Sequence, residues 1–141
     1  MFIRLTDTVS VAAQIAPGDL VAATAAGFVH VVNNRPDGEE PGQPACSVMR
    51  AAAKAAGLGY TAIPVDHRGF AVDQITAMAA VLGATTGPVL AFCRSGTRSA
   101  NLWALAEAQR GGGPEAIIAA AARGGYDVGG LRTTLVKLAA R

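Results

Sequence analysis

Short apolar runs alternate along this chain with longer stretches in which apolar positions recur at helical spacing. Phe2–Leu5 and Val9–Ile15 are predicted as short strands, and Pro17-Gly18-Asp19 opens a helix to about Ala26 that Gly27 closes. Phe28–Asn33, with its β-branched and aromatic residues, is the next strand. It runs into a polar loop, Asn34–Gln43, dense in turn formers. A helix from about Pro44 to Ala56, ended by Gly57, precedes a strand over Tyr60–Val65. Asp66–Gly69 is then a loop and Val72–Leu82 an amphipathic helix. The run Pro88–Phe92 reads as a buried strand that gives way, through Cys93 and Gly96, to a helix over Arg98–Gln109. Gly111-Gly112-Gly113-Pro114 and Gly124-Gly125-Tyr126-Asp127 set off two further helices, Glu115–Ala122 and Leu131–Ala140.

Strands alternating with helices predict an α/β fold with a mainly parallel central sheet covered by helices on both faces. Ligands bind such sheets at the carboxyl ends of the strands. Three polar loops emerge there, Asn34–Gln43, Asp66–Gly69 and Cys93–Arg98, and the topology brings them to one rim.

Composition narrows the class. At 141 residues the chain is expected to form one domain across residues 1–141 with a core of useful size. The hydrophobic fraction is 51% but aromatics supply only 5%, so alanine-rich, closely packed helices are expected. No apolar run approaches the roughly 18 residues that span a bilayer, and no basic-then-apolar leader is read at the N-terminus. The net charge of +2, spread along the chain, gives no basis for nucleic-acid binding. With two cysteines and no export signal, a reduced cytoplasmic protein without a structural disulfide is expected.

The chemistry concentrates at Cys93-Arg94-Ser95-Gly96-Thr97-Arg98-Ser99. A thiol at a strand-to-helix turn meets the orphan N–H groups and the positive end of the helix dipole, which favour an anion. Thiol pKa values fall from about 8.5 to roughly 3.5–7.5 in such settings. Gly96 supplies the conformational freedom to curl amides inward. Arg98 can fork two N–H donors onto an oxyanion, with Arg94 beside it, and Ser99 offers a hydroxyl to the thiolate or a leaving group. On the first loop, Pro36-Asp37-Gly38 reads equally as a structural turn or as part of the site, where Arg35 adds positive potential or Asp37 or Glu39 orients Arg98 or Arg94; Glu40 lies beside them. Cys46 is read first as a half-buried helix residue and second as a thiol that resolves an oxidised Cys93. Trp103 and Tyr126 are expected in the core or a groove, and His30 as structural. No His, Cys, Asp or Glu set has metal-ligand spacing, and no glycine loop has the Walker or dinucleotide pattern, so no metal or cofactor is assigned.

Cys93–Ser99, taken with Asn33-Asn34-Arg35-Pro36-Asp37-Gly38-Glu39 and Ile63-Pro64-Val65, resembles the phosphatase-like domain of beta-lactamase-hydrolase-like proteins, most clearly over about residues 2 to 110. The resemblance implies a dual-specificity-phosphatase-like fold. Some members are fused to a metal-dependent hydrolase or persulfide dioxygenase module, which implies association with such a module. It also places a general acid where Asp66 sits, with His67 as the adjacent alternative. Cysteine phosphatases, however, carry one residue more between cysteine and arginine, and histidine where this chain has Phe92. The loop itself resembles that of single-domain rhodanese sulfurtransferases. Removing one residue takes about 3.3–3.6 Å from the rim and one inward N–H. On that ground the leading expectation is sulfur transfer: a persulfide on Cys93, loaded by a small sulfane donor and passed to a thiol acceptor. Phosphoester hydrolysis through a Cys93 phosphoenzyme is the alternative. An anion-binding or redox-sensing module without turnover is a third.

Overall fold

Five strands and six helices follow one another in the computed structural model, which describes residues 1–141. The strands are β1 (Ile3–Arg4), β2 (Val9–Ala12), β3 (His30–Asn33), β4 (Gly59–Ala62) and β5 (Val89–Phe92). The helices are α1 (Asp19–Ala25), α2 (Cys46–Ala55), α3 (Val72–Ala84), α4 (Thr97–Gln109), α5 (Pro114–Arg123) and α6 (Arg132–Ala139). The strands form one sheet in the order β1-β2-β5-β3-β4. Every pairing is parallel except the short antiparallel β1–β2 edge, so the mainly parallel sheet expected from the sequence is present.

The period-two alternation of the strands divides the core between two faces. Val9, Val11, Val32, Val89 and Ala91 point into a cluster with α3, α4, α5 and α6. Ala12, Val31, Leu90 and Phe92 point the other way, against Leu20 and Ala23 of α1 and Met49 and Ala53 of α2. The central strand β5 is buried along its whole length, as a strand covered on both faces should be. Helix α4 is buried nearly all round, packed by α3, α5 and α6; its alanines at 100, 104, 106 and 108 let those neighbours approach. Trp103 is in this core, as expected. No helix is long and apolar enough to cross a membrane.

Several element ends differ from the sequence expectation, chiefly around the site. The strand predicted over Val9–Ile15 stops at Ala12, because the chain then turns to bind the Cys93 loop: Cys93 N–H donates to Ala12 O at 3.3 Å and Gln14 N–H to Arg94 O at 3.2 Å. The strand predicted over Tyr60–Val65 is regular only to Ala62, but Ile63 and Val65 still donate to Asn33 O and Asn34 O, both at 2.9 Å. Helix α3 runs past Gly83 to Ala84. It begins where the Gln74 side chain accepts from Ala71 N–H at 2.7 Å. Helix α4 starts one residue early, at Thr97, because Gly96 at φ 90° already serves as its left-handed N-cap.

Candidate active site

The end of β5 carries the chain to Cys93, and the left-handed Gly96 turns the next peptide back. As a result Gly96 N–H donates to Cys93 Sγ at 3.1 Å. Cys93 is wholly buried, and none of the molecule's clefts is lined by it. The expected nucleophile is therefore covered in this arrangement rather than open on the rim. Its sulfur nonetheless lies within reach of the Arg98 guanidinium, which is held charged first by Glu39 and also by Cys93.

Arg98 is tightly oriented. Its Nη1 donates to Glu39 Oε2 at 2.8 Å and to Val65 O at 2.7 Å, and its Nη2 donates to Glu39 Oε1 at 2.9 Å. A guanidinium has five N–H groups, of which these contacts occupy both on Nη1 and one on Nη2. The Nε–Nη2 edge is left as a second two-pronged fork, suited to two oxygens of an oxyanion. Glu39, expected to orient Arg98 or Arg94, thus orients Arg98. Its carboxyl is pulled down to about 2, mainly by the Arg98 hydrogen bonds, against the effect of burial and with help from Arg35.

Arg35 departs from its expectation. Its side chain is 1% exposed and donates to Glu39 at 2.8 Å, Glu40 at 2.9 Å and Gln14 at 3.1 Å. It adds little free positive potential to the rim; it anchors the two glutamates. Asp37 also differs, since it accepts from Cys46 N–H at 2.7 Å and so fixes the start of α2. Arg94, with its side chain 68% exposed and 3.7 Å from Glu40, is the loop's most exposed cation. Arg35, Arg94 and Arg98 pair with Glu39 and Glu40 in one connected network at the rim.

Ser99 does not serve the thiolate. It is buried and donates to Asn34 Oδ1 at 2.8 Å, while Asn34 Nδ2 donates to Ile63 O at 2.9 Å. That chain ties the start of α4 to the ends of β3 and β4 and keeps the Cys93 loop in register. Ser95 and Thr97 are exposed; their hydroxyls meet at 3.1 Å, and Ser95 Oγ also draws on Thr97 N–H at 3.4 Å.

Asp66 follows Val65 into the third loop, so the three loops do share one rim. Its carboxylate takes the Arg68 backbone N–H at 2.9 Å, Arg68 Nε at 3.0 and 3.1 Å, and Arg68 Nη2 at 2.7 Å. These bonds, the side-chain one foremost, hold its carboxyl down to about 2. The Arg68 pairing thus favours the ionised carboxylate in this arrangement. His67 is exposed on the same turn. Asp66 and Arg68 also wall a cleft of about 340 Å³ with Gly69, Phe70, Ala71 and Gln74, next to the Val65 carbonyl that Arg98 grips.

Cys46 is half-buried, as read, with its Sγ 3.2 Å from the Tyr60 hydroxyl. His30 bonds Thr61 Oγ1 at 2.8 Å across β3 and β4, a structural role. Tyr126, expected in the core or a groove, is half-buried and its hydroxyl reaches Ser95 O at 3.4 Å. The glycines before it mark a turn, but nothing local shows where that turn docks.

Comparison with known proteins bears on the family and the fold. A beta-lactamase hydrolase-like protein of Agrobacterium fabrum is 38% identical over 109 residues, covering 77% of this chain and 25% of the relative. The chain thus spans about a quarter of that relative's length. A candidate phosphatase from Neisseria meningitidis Z2491 superposes with a TM-score of 0.81 at 28% identity, covering 96% of each chain. Kinase associated phosphatase, solved with its catalytic-site cysteine replaced by serine, superposes with a TM-score of 0.72 at 15% identity, over 99% of this chain and 95% of that one. The fold is that of the dual-specificity and tyrosine phosphatases, as the resemblance implied. With the family model matching residues 2–110, the chain belongs to the phosphatase-like domain family of beta-lactamase hydrolase-like proteins.

Proposed function

We propose that this domain is a phosphomonoester hydrolase in which Cys93 attacks phosphorus and Arg98 holds the transferred oxygens. One observation carries the reading: the Nε–Nη2 edge of Arg98, left open by Glu39 and Val65 and held near a sulfur that already receives Gly96 N–H. The cysteine-phosphatase fold and the phosphatase-like family support it. Sulfur forms a bond to phosphorus as the P–O bond to the alcohol breaks. Water then cleaves the S–P bond, releasing phosphate and returning the thiolate, and a proton from water ends on the alcohol.

Sulfur transfer stays as the second reading because one observation favours it: Asp66 is held ionised, and sulfite or a thiolate leaves without a proton. Association with a longer relative's hydrolase module is a further part of the proposal, as is cytoplasmic placement. Rapid-quench mass spectrometry separates the chemistries. A phosphoryl adduct on Cys93 after an aryl phosphate supports hydrolysis. Sulfane sulfur on Cys93 after thiosulfate or glutathione persulfide, with no phosphoryl adduct, moves the assignment to sulfur transfer.

The ionised Asp66 makes a sharper expectation. General acid catalysis typically contributes about 10²–10⁴ in rate, and this site lacks it as arranged. Aryl phosphates with acidic leaving groups are therefore expected to outrun alkyl phosphates by about 10² or more, while Asp66→Asn changes aryl turnover less than about threefold. A steep loss in Asp66→Asn, measured as kcat with aryl phosphate, would mean that Asp66 leaves Arg68 and protonates the leaving group.

A further inference from the structure

The residue whose amide reaches Cys93 belongs to a peptide unit with two engaged ends. The N–H of the 95–96 peptide, on Gly96, donates to Cys93 Sγ at 3.1 Å. The carbonyl of that same unit, on Ser95, accepts from the Tyr126 hydroxyl at 3.4 Å. In a trans peptide the C=O and N–H point in opposite directions. Tyr126 therefore sits behind the plane that faces the sulfur, and the order is phenol, peptide, thiol.

We propose that Tyr126 is a positioning residue: its hydroxyl latches the Ser95 carbonyl so that the Gly96 N–H stays aimed at the Cys93 sulfur.

The surroundings support this. Gly96 has φ 90° and no Cβ, so the 95–96 plane is among the easiest in the loop to rotate. A rotated plane would turn a carbonyl oxygen toward the sulfur and repel a thiolate. The same glycine fits closely under the phenol, for a Cβ built there would collide with the Tyr126 hydroxyl. At 3.4 Å the bond is long for a hydroxyl, so it acts as an orientational restraint backed by that contact more than as a strong bond. A phenol is a protonated donor at neutral pH, and burial foremost, then Cys93, push that of Tyr126 further up. Hydrogen bonds at both ends of one peptide also polarise each other, so loss of the first weakens the second. Tyr126 lies beyond residues 2–110 of the family match, on the connection between α5 and α6.

The inference rests on Cys93 as the nucleophile but not on which reaction it performs. The test is a pH titration of thiolate ultraviolet absorbance in the full chain carrying Cys46→Ser, with and without Tyr126→Phe. Each is referenced to its own Cys93→Ser counterpart. Tyr126→Phe is expected to raise the Cys93 midpoint by about half a pH unit, a roughly threefold loss of thiolate below it. The turnover number with aryl phosphate should fall by the same factor, with KM and thermal melting nearly unchanged. An identical midpoint in the two backgrounds overturns the inference, whatever the activity. A raised midpoint in a chain whose parent hydrolyses no aryl phosphate sustains it and removes the phosphatase proposal instead.

Discussion

Replacing Cys93 with serine should lower aryl-phosphate turnover by about 10⁴ or more while leaving the fold intact. The reasoning starts from the neighbours. Serine fits the space of a wholly buried cysteine, and its hydroxyl can still accept from Gly96 N–H, so thermal melting should move by only a few degrees. Nucleophilicity is another matter. A thiol needs only a modest push from nearby positive groups to ionise near neutral pH, whereas a serine hydroxyl needs an adjacent base. The groups around position 93 are a backbone N–H and a guanidinium, which stabilise an anion already made but cannot take a proton from an alcohol. Steady-state kinetics with a highly purified variant decides the matter. Turnover within tenfold of the parent would show that the reaction runs without this sulfur.

The same neighbours explain which parts of the molecule were legible in its sequence. The strand-turn-helix at Cys93 could be read because its signals are local: an apolar run, a cysteine, a glycine and then helical spacing. The convergence of three loops could be read from topology, since parallel strands leave their carboxyl ends on one side. Arg35 could not, because arginine is rarely buried and its burial depends on Glu39, Glu40 and Gln14 meeting around it. Ser99 was misassigned for a related reason. Its partner Asn34 is 65 residues away, and only the register of β3 against β5 brings them together. Tyr126 was hidden similarly, 31 residues from the carbonyl it reaches. Asp66 differs, for its partner Arg68 is two residues on and the turn between them is a local pattern. There the resemblance supplied the acid reading, and the local turn supplies the ion pair that the structure shows.

Charge placement sets the remaining large effect. Arg98→Lys keeps the positive charge but replaces a planar fork with a single ammonium, and aryl-phosphate kcat/KM should drop by about 10²–10³. Lysine cannot hold both Glu39 oxygens, donate to Val65 O and present two parallel donors to substrate at once, as Arg98 is arranged to do. The variant also carries a signature in acid. Glu39 is held at about 2 in the folded chain against an ordinary 4.5, so its pairing stabilises the fold above 4.5 and that contribution fades as pH falls through about 2. With lysine at 98 the largest cause of that depression is weakened and the Glu39 carboxyl moves back up. The variant should then melt below the parent at neutral pH, where the pairing contributes in full, and the gap should close as pH falls from 4.5 through about 2. Thermal melts across that range, read beside kcat/KM, test both halves. An unchanged acid profile would mean that Glu39 is held by Arg35 alone, and unchanged kcat/KM would mean that the fork never touches the substrate.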